Sequence, residues 1–130
     1  MDLGLRLDPS APLYQQVVDG IAGAIACGQL RSGVALPSVR ELAQSLGINP
    51  NTVQKAFREL ERQGLVQARP GSGVFVHPDS GRLEAVRRRI IDDILTEALR
   101  ALKRYGVGPD EAAALLRTRE GEAVSLAGDA

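Results

Sequence analysis

The run Asn49-Pro50-Asn51-Thr52-Val53-Gln54-Lys55, with Arg58 one turn further on, concentrates short amides, a hydroxyl and two cations within ten residues. A carboxamide holds one donor and one acceptor side by side in a rigid plane, which matches the N6 and N7 edge of adenine. Lysine and arginine add positive charge for phosphate oxygens. None of these groups is a nucleophile, so the chemistry on offer is recognition by hydrogen bond and charge.

Bond-making chemistry lacks its parts elsewhere in the chain. One histidine, His77, and one cysteine, Cys27, with few clustered carboxylates, leave no nucleophile paired with a base and no set of metal ligands. The expectation is therefore no enzyme, no catalytic residue, no metal and no cofactor. His77 reads as a surface residue just past a hairpin. Cys27, in the last turn of the first helix, reads as a small core residue in preference to a redox sensor. A lone cysteine also excludes an internal disulfide framework, and neither a signal-peptide core nor a bilayer-spanning run is present. Those absences imply a soluble, cytoplasmic protein with no membrane partner.

The chain of 130 residues suits one modest globular unit with an extension and is too short for most two-domain enzymes. Sixteen basic residues balance sixteen acidic ones, so a nucleic-acid partner cannot rest on net charge and must follow from where the charges sit.

The elements that must carry the polar run can be read from periodicity and punctuation. Pro12 suits a first helical turn, and Leu13, Val17, Ile21, Ala24 and Ile25 recur at helical steps until Gly28. Ser38 followed three residues later by Glu41 forms a capping-box pattern, with Val39, Leu42, Ala43 and Leu46 as the buried stripe and Gly47 as the stop. Asn49 caps the next helix, Pro50 takes its first position, and Val53, Ala56, Phe57 and Leu60 fall on one face up to Gly64. "LVQARPGSGVFV" alternates, breaks at Pro70, Gly71 and Gly73, and resumes, which predicts a β-hairpin with Leu65 and Gln67 opposed to Val66 and Ala68.

Three helices and a hairpin describe a mainly α, winged helix-turn-helix fold. With Val53, Ala56, Phe57 and Leu60 inward, Asn51, Thr52, Gln54, Lys55 and Arg58 must face outward. A helix-turn-helix places the N-terminal residues of its second helix in the major groove, so Asn51 and Gln54 become base readers and Lys55 and Arg58 phosphate contacts. Arg40 can reach a phosphate or a guanine edge. The tip "ARPGSG" has no bulky side chain, so its backbone can approach a sugar-phosphate chain, with Arg69 reaching the minor groove or phosphates. Plainer readings stand beside these: Asn49 and Pro50 are accounted for by capping alone, Arg40 can pair with Glu41 or Glu61, and Arg58, Glu59, Glu61 and Arg62 can form an ordinary solvated face.

"PLYQQVVDGIAGAIACGQL", "LPSVRELAQSLGINPNTVQKAFRELERQGLV" and "RPGSGVFV" together resemble the winged-helix signature of the GntR family of bacterial transcription regulators, over about residues 10–77. The resemblance implies double-stranded DNA as partner, with contacts on Arg40, Asn49, Asn51, Thr52, Gln54 and Gly71; Lys55, Arg58 and Arg69 come from geometry alone. "LRSGVALPS" departs from the family pattern at Ser32, where proline is usual, and at Val34, where a polar residue is usual. The short helical tail is similar to the YtrA subfamily, which implies dimerisation through it.

Beyond Gly81, Leu83, Val86, Ile90, Ile94, Ala98, Leu102 and Tyr105 mark a long helix, widened by Ile91, Leu95 and Leu99. So short a chain has no other large surface to cover that stripe, so residues 83–105 are expected to pair across a twofold axis. Folding back onto the winged helix is the alternative. "VRRRI" reads as a solvated face. A short helix from Pro109 to Arg117 is expected to turn Ala112, Leu115 and Leu116 inward. The organisation is then a DNA-binding domain over residues 1–78, a helical dimerisation extension over 79–119 and a flexible tail over 120–130. The function this supports is a homodimeric repressor on a palindromic operator, its half-sites one DNA turn, about 34 Å, apart. A winged-helix scaffold that binds protein and no DNA is the rival. An effector, if there is one, is not legible.

Overall fold

The computed structural model describes residues 3–128, with side chains described as far as residue 120. The chain divides into two compact units between Arg88 and Arg89.

The first unit is built on three helices whose limits are set by local chemistry. α1 (Leu13–Ala26) buries Val17, Val18, Ile21, Ala24 and Ile25. α2 (Val39–Leu46) opens with the Ser38 hydroxyl accepting the Glu41 N–H at 3.1 Å and closes at Gly47, whose φ of 68° is the left-handed conformation that glycine adopts without a Cβ clash. α3 (Pro50–Arg62) opens with Asn49 Oδ1 accepting the Asn51 N–H at 2.8 Å and Pro50 in the first turn. Val53, Ala56 and Leu60 of α3 are fully buried and Phe57 nearly so. α3 packs against both α1 and α2, with Leu42, Leu65 and Val76 completing the core.

The hairpin pairs β1 (Val66–Arg69) with β2 (Gly73–Val76) antiparallel, Val66 opposite Val76 and Arg69 opposite Gly73. Leu65 and Val66 are both buried, so the strict alternation expected from Leu65 onward does not hold. The reason is that Leu65 still belongs to the helix exit, its N–H donating to the Leu60 carbonyl at 3.0 Å; the strand starts one residue later. A second departure lies in the loop after α1. Ala35 bridges Phe75, the Leu36 N–H donates to the Val74 carbonyl and the Val76 N–H to the Val34 carbonyl, both at 2.8 Å, so the loop pins the outer edge of β2.

Residues ahead of α1 also pack. Leu3 is buried, and the Gln16 amide clamps Asp8, accepting its N–H and donating to its carbonyl, both at 2.7 Å. Cys27 corrects an expectation: it is exposed, because α1 ends at Ala26 and Cys27 is the residue that caps it.

α4 (Ser80–Lys103) begins where Asp79 Oδ1 accepts the N–H groups of Gly81 and Arg82. Its first turns belong to the first unit, which runs past residue 78 to Arg88. Val86 is buried there at 6% exposure, which removes it from any outward stripe. In the second unit α4 ends at Lys103, and Gly106, with φ of 78°, turns the chain into α5 (Pro109–Gly128). Tyr105 therefore lies past the helix end, 83% exposed. Ala112 is buried as expected, whereas Leu115 and Leu116 are exposed, against expectation. α5 continues beyond Arg117, where a helix end was expected; the side chains of the tail over 120–130 lie outside the described residues from 121, and residues 129–130 lie outside them altogether.

Candidate nucleic-acid interface

The interface is assembled from the outer side of α3. Its apolar side is anchored by Val53, Ala56, Phe57 and Leu60, so helical geometry leaves Asn51, Gln54, Lys55 and Arg58 exposed and Thr52 half-buried. Arg40, near the start of α2, is exposed as well.

Most of these groups have no hydrogen-bond or ion-pair partner among the described residues. Among the described residues, the side chains of Asn51, Gln54, Arg40 and Arg58 take part in no hydrogen bond or ion pair; the plainer partners Glu41 and Glu61 are not used by Arg40. Asn49 differs, because its carboxamide oxygen already serves as the cap of α3. Capping accounts for it, as the plainer reading held.

The C-terminal half of α3 is internally compensated. Arg62 pairs with Glu59, its Nε donating to Oε2 at 2.8 Å, and Gln63 Nε2 donates to Oε1 at 3.1 Å. Those hydrogen bonds hold the Glu59 carboxyl well below its ordinary value, at about 2. Glu61 accepts the Ala68 N–H of β1. The positive charge of α3 that has no ion-pair partner among the described residues thus sits on Lys55 and Arg58, while Glu61 keeps its negative charge near the helix end.

At the hairpin tip Gly71 is exposed with φ of 78°, a conformation open to glycine, and no side chain among the described residues covers the backbone there. Arg69 lies over the Phe75 ring, 4.4 Å from its centroid, which holds its guanidinium beside the wing.

Three contributors escape sequence reasoning. Tyr14 of α1 lies under the Lys55 ammonium, 3.9 Å from ring centroid to Nζ. Glu61 and the loop at residues 33–36 hold the two edges of the hairpin. Tyr14 with Lys55 and the loop with β2 join segments far apart in sequence, and Glu61 reaches across the turn from α3 to β1; no periodicity or motif signals these pairings. No group of His, Cys, Asp and Glu among the described residues could hold a metal ion, and none of the described helices is long and apolar enough to cross a membrane.

Residues 13–76 match the family described as bacterial regulatory proteins, gntR family. The HTH-type transcriptional repressor YtrA of Bacillus subtilis is 40% identical over 74 residues, spanning 55% of this chain and 57% of that protein. Among solved structures, a GntR family transcriptional regulator from Listeria monocytogenes superposes with a TM-score of 0.80 at 30% identity, over 86% of this chain and 98% of the other. The DNA-binding domain of AraR in complex with operator ORX1 superposes with a TM-score of 0.50 at 33% identity, over 55% of this chain and 92% of that one. The relatives are named as transcription regulators, the fold is theirs, and the likeness to the Listeria protein covers the tail as well as the winged helix. The chain belongs to the gntR family of bacterial regulatory proteins and is YtrA-like within it: a transcription regulator on a winged helix-turn-helix, not an enzyme.

Proposed function

We propose that this protein is a homodimeric repressor that occupies a palindromic operator in the cytoplasm. One observation carries the reading: Asn51, Gln54, Lys55 and Arg58 stand exposed on the outer side of a helix whose inner side is fully packed, and none of them forms an ion pair or side-chain hydrogen bond among the described residues. Of the four only Asn51 is a weak helix former, so what marks the row is its exposure and its lack of partners among the described residues, which leave its amides and cations available to an outside ligand. The AraR domain, which shares this fold, was solved on its operator, and the YtrA relative is named a repressor. α3 enters the major groove, Asn51 and Gln54 read bases, Lys55, Arg58 and Arg40 take phosphates, and the wing tip at Arg69 and Gly71 lies on the flank.

The dimer rests on α4. Ile91, Ile94, Leu95 and Leu99 are 39%, 62%, 51% and 38% exposed, an apolar face that the chain alone does not cover. Ile90, Ala98 and Leu102 border it, and a second copy related by a twofold axis buries it. Ile94→Glu should convert the dimer to a monomer in sedimentation. A wild-type chain that sediments as a monomer at micromolar concentration removes this part of the reading.

The whole is tested by the salt dependence of duplex binding. A regulator shows a steep fall of affinity with salt, because each phosphate contact releases counterions. A slope near zero points to a winged-helix scaffold that binds protein and no DNA, and sinks the regulator.

A further inference from the structure

We propose that Tyr14, on the first turn of α1, is a positioning residue for DNA: its ring holds the Lys55 ammonium in place for a phosphate. This rests on the DNA-binding reading above. The ammonium lies 3.9 Å from the ring centroid, and no carboxylate lies within ion-pair distance of it among the described residues. Tyr14 is half-buried and α1 packs on α3, so the ring is a fixed platform while Lys55 is exposed.

The choice of partner matters physically. A carboxylate would also hold Lys55, but it would neutralise the charge and compete with phosphate for the same protons. The face of an aromatic ring attracts the cation through its quadrupole and leaves the full positive charge in place. A free lysine side chain gives up rotamer entropy when it is fixed, and a platform that restricts it beforehand reduces what phosphate binding must overcome. Tyr14 thereby makes the start of α1 part of the DNA-contacting apparatus without touching a base.

The test uses the full chain and a fluorescein-labelled duplex of arbitrary sequence, since a phosphate contact needs no operator. Tyr14→Leu, which keeps apolar bulk and removes the ring, should weaken binding about three- to fivefold. Tyr14→Phe keeps the ring and should stay close to wild type. In a Lys55→Ala background, Tyr14→Leu should change nothing further. The salt slope separates the two residues: Lys55→Ala lowers it by about 1, whereas Tyr14→Leu leaves it unchanged because the charge is still there. Without DNA, the Lys55 ε-protons should be shifted upfield by the ring in wild type and Tyr14→Phe, and not in Tyr14→Leu. An equal loss from Tyr14→Leu with and without Lys55, or ε-protons at their ordinary position in wild type, overturns the proposal and leaves DNA binding intact. A wild-type chain that binds no duplex ends both.

Discussion

Glu61, in the last turn of α3, accepts the backbone N–H of Ala68 on β1 at 2.8 Å, so the helix that carries the polar row also holds the outer edge of the wing. The opposite edge is held by the loop after α1, through the Leu36 N–H on the Val74 carbonyl. A two-stranded hairpin is marginal by itself, and these two attachments make it a rigid part of the winged helix.

Glu61→Ala should therefore loosen the wing. Leaving the Ala68 N–H without its partner should cost about 1 kcal/mol, seen as a lower melting temperature and faster amide exchange at Ala68. Glu61→Gln, which retains an acceptor oxygen, should restore most of the protection. Unchanged exchange at Ala68 in both variants would show that the loop alone holds the hairpin.

Gln54 and Lys55 are neighbours on α3 with different assigned partners, and their substitutions should differ in kind. Gln54→Ala should cost about 1–3 kcal/mol on a site selected from a random duplex pool and little on arbitrary DNA. Lys55→Ala should weaken both alike. Equal losses for Gln54→Ala on the two sequences would remove it as a base reader.

The Asn49 carboxamide oxygen accepts the Asn51 N–H, so Asn49 caps α3 and leaves only its NH2 for a ligand. Asn49→Ala should destabilise the fold by about 1 kcal/mol, whereas Asn49→Ser, which keeps an oxygen at the cap, should cost only a few tenths, about the difference between good caps. Chemical denaturation of the two variants measures this. If Asn49→Ser keeps stability and still loses the selected site, Asn49 has a second role in base reading.

The Glu59–Arg62 pair sets a pH dependence. The folded-state pKa of Glu59 is held at about 2, by hydrogen bonds from Arg62 and then Gln63, against an ordinary value of 4.5. A depressed carboxyl contributes its stability above the unfolded value and loses it as pH falls through the folded one. The melting-temperature difference between wild type and Glu59→Gln should therefore be full above pH 4.5 and shrink as pH falls toward 2. A difference independent of pH across that window would show that the pair contributes nothing.

Much of the helix-turn-helix was legible because its signals are local. Ser38 and Glu41, Asn49 and Pro50, and Gly47 act on backbone groups within four residues of themselves, so spacing alone locates the helix starts and the turn. The inward face of α3 follows from the helical repeat for the same reason, and with it the outward direction of Asn51, Gln54, Lys55 and Arg58. Cys27 shows how narrow that margin is: one residue of difference at the end of α1 moved it from the expected core to the surface.

Contacts between separate elements were decided by the tertiary structure. The Tyr14 ring under Lys55, Glu61 on Ala68, the loop on β2 and the burial of Val86 each join stretches that no periodicity relates. Leu115 and Leu116 fail differently: an apolar repeat shows that a helix has a side to bury, not that its own chain supplies the cover, and here the chain leaves both exposed. Local hydrogen-bond chemistry is written in neighbouring residues, whereas packing depends on which surfaces meet, and only folding brings those surfaces together.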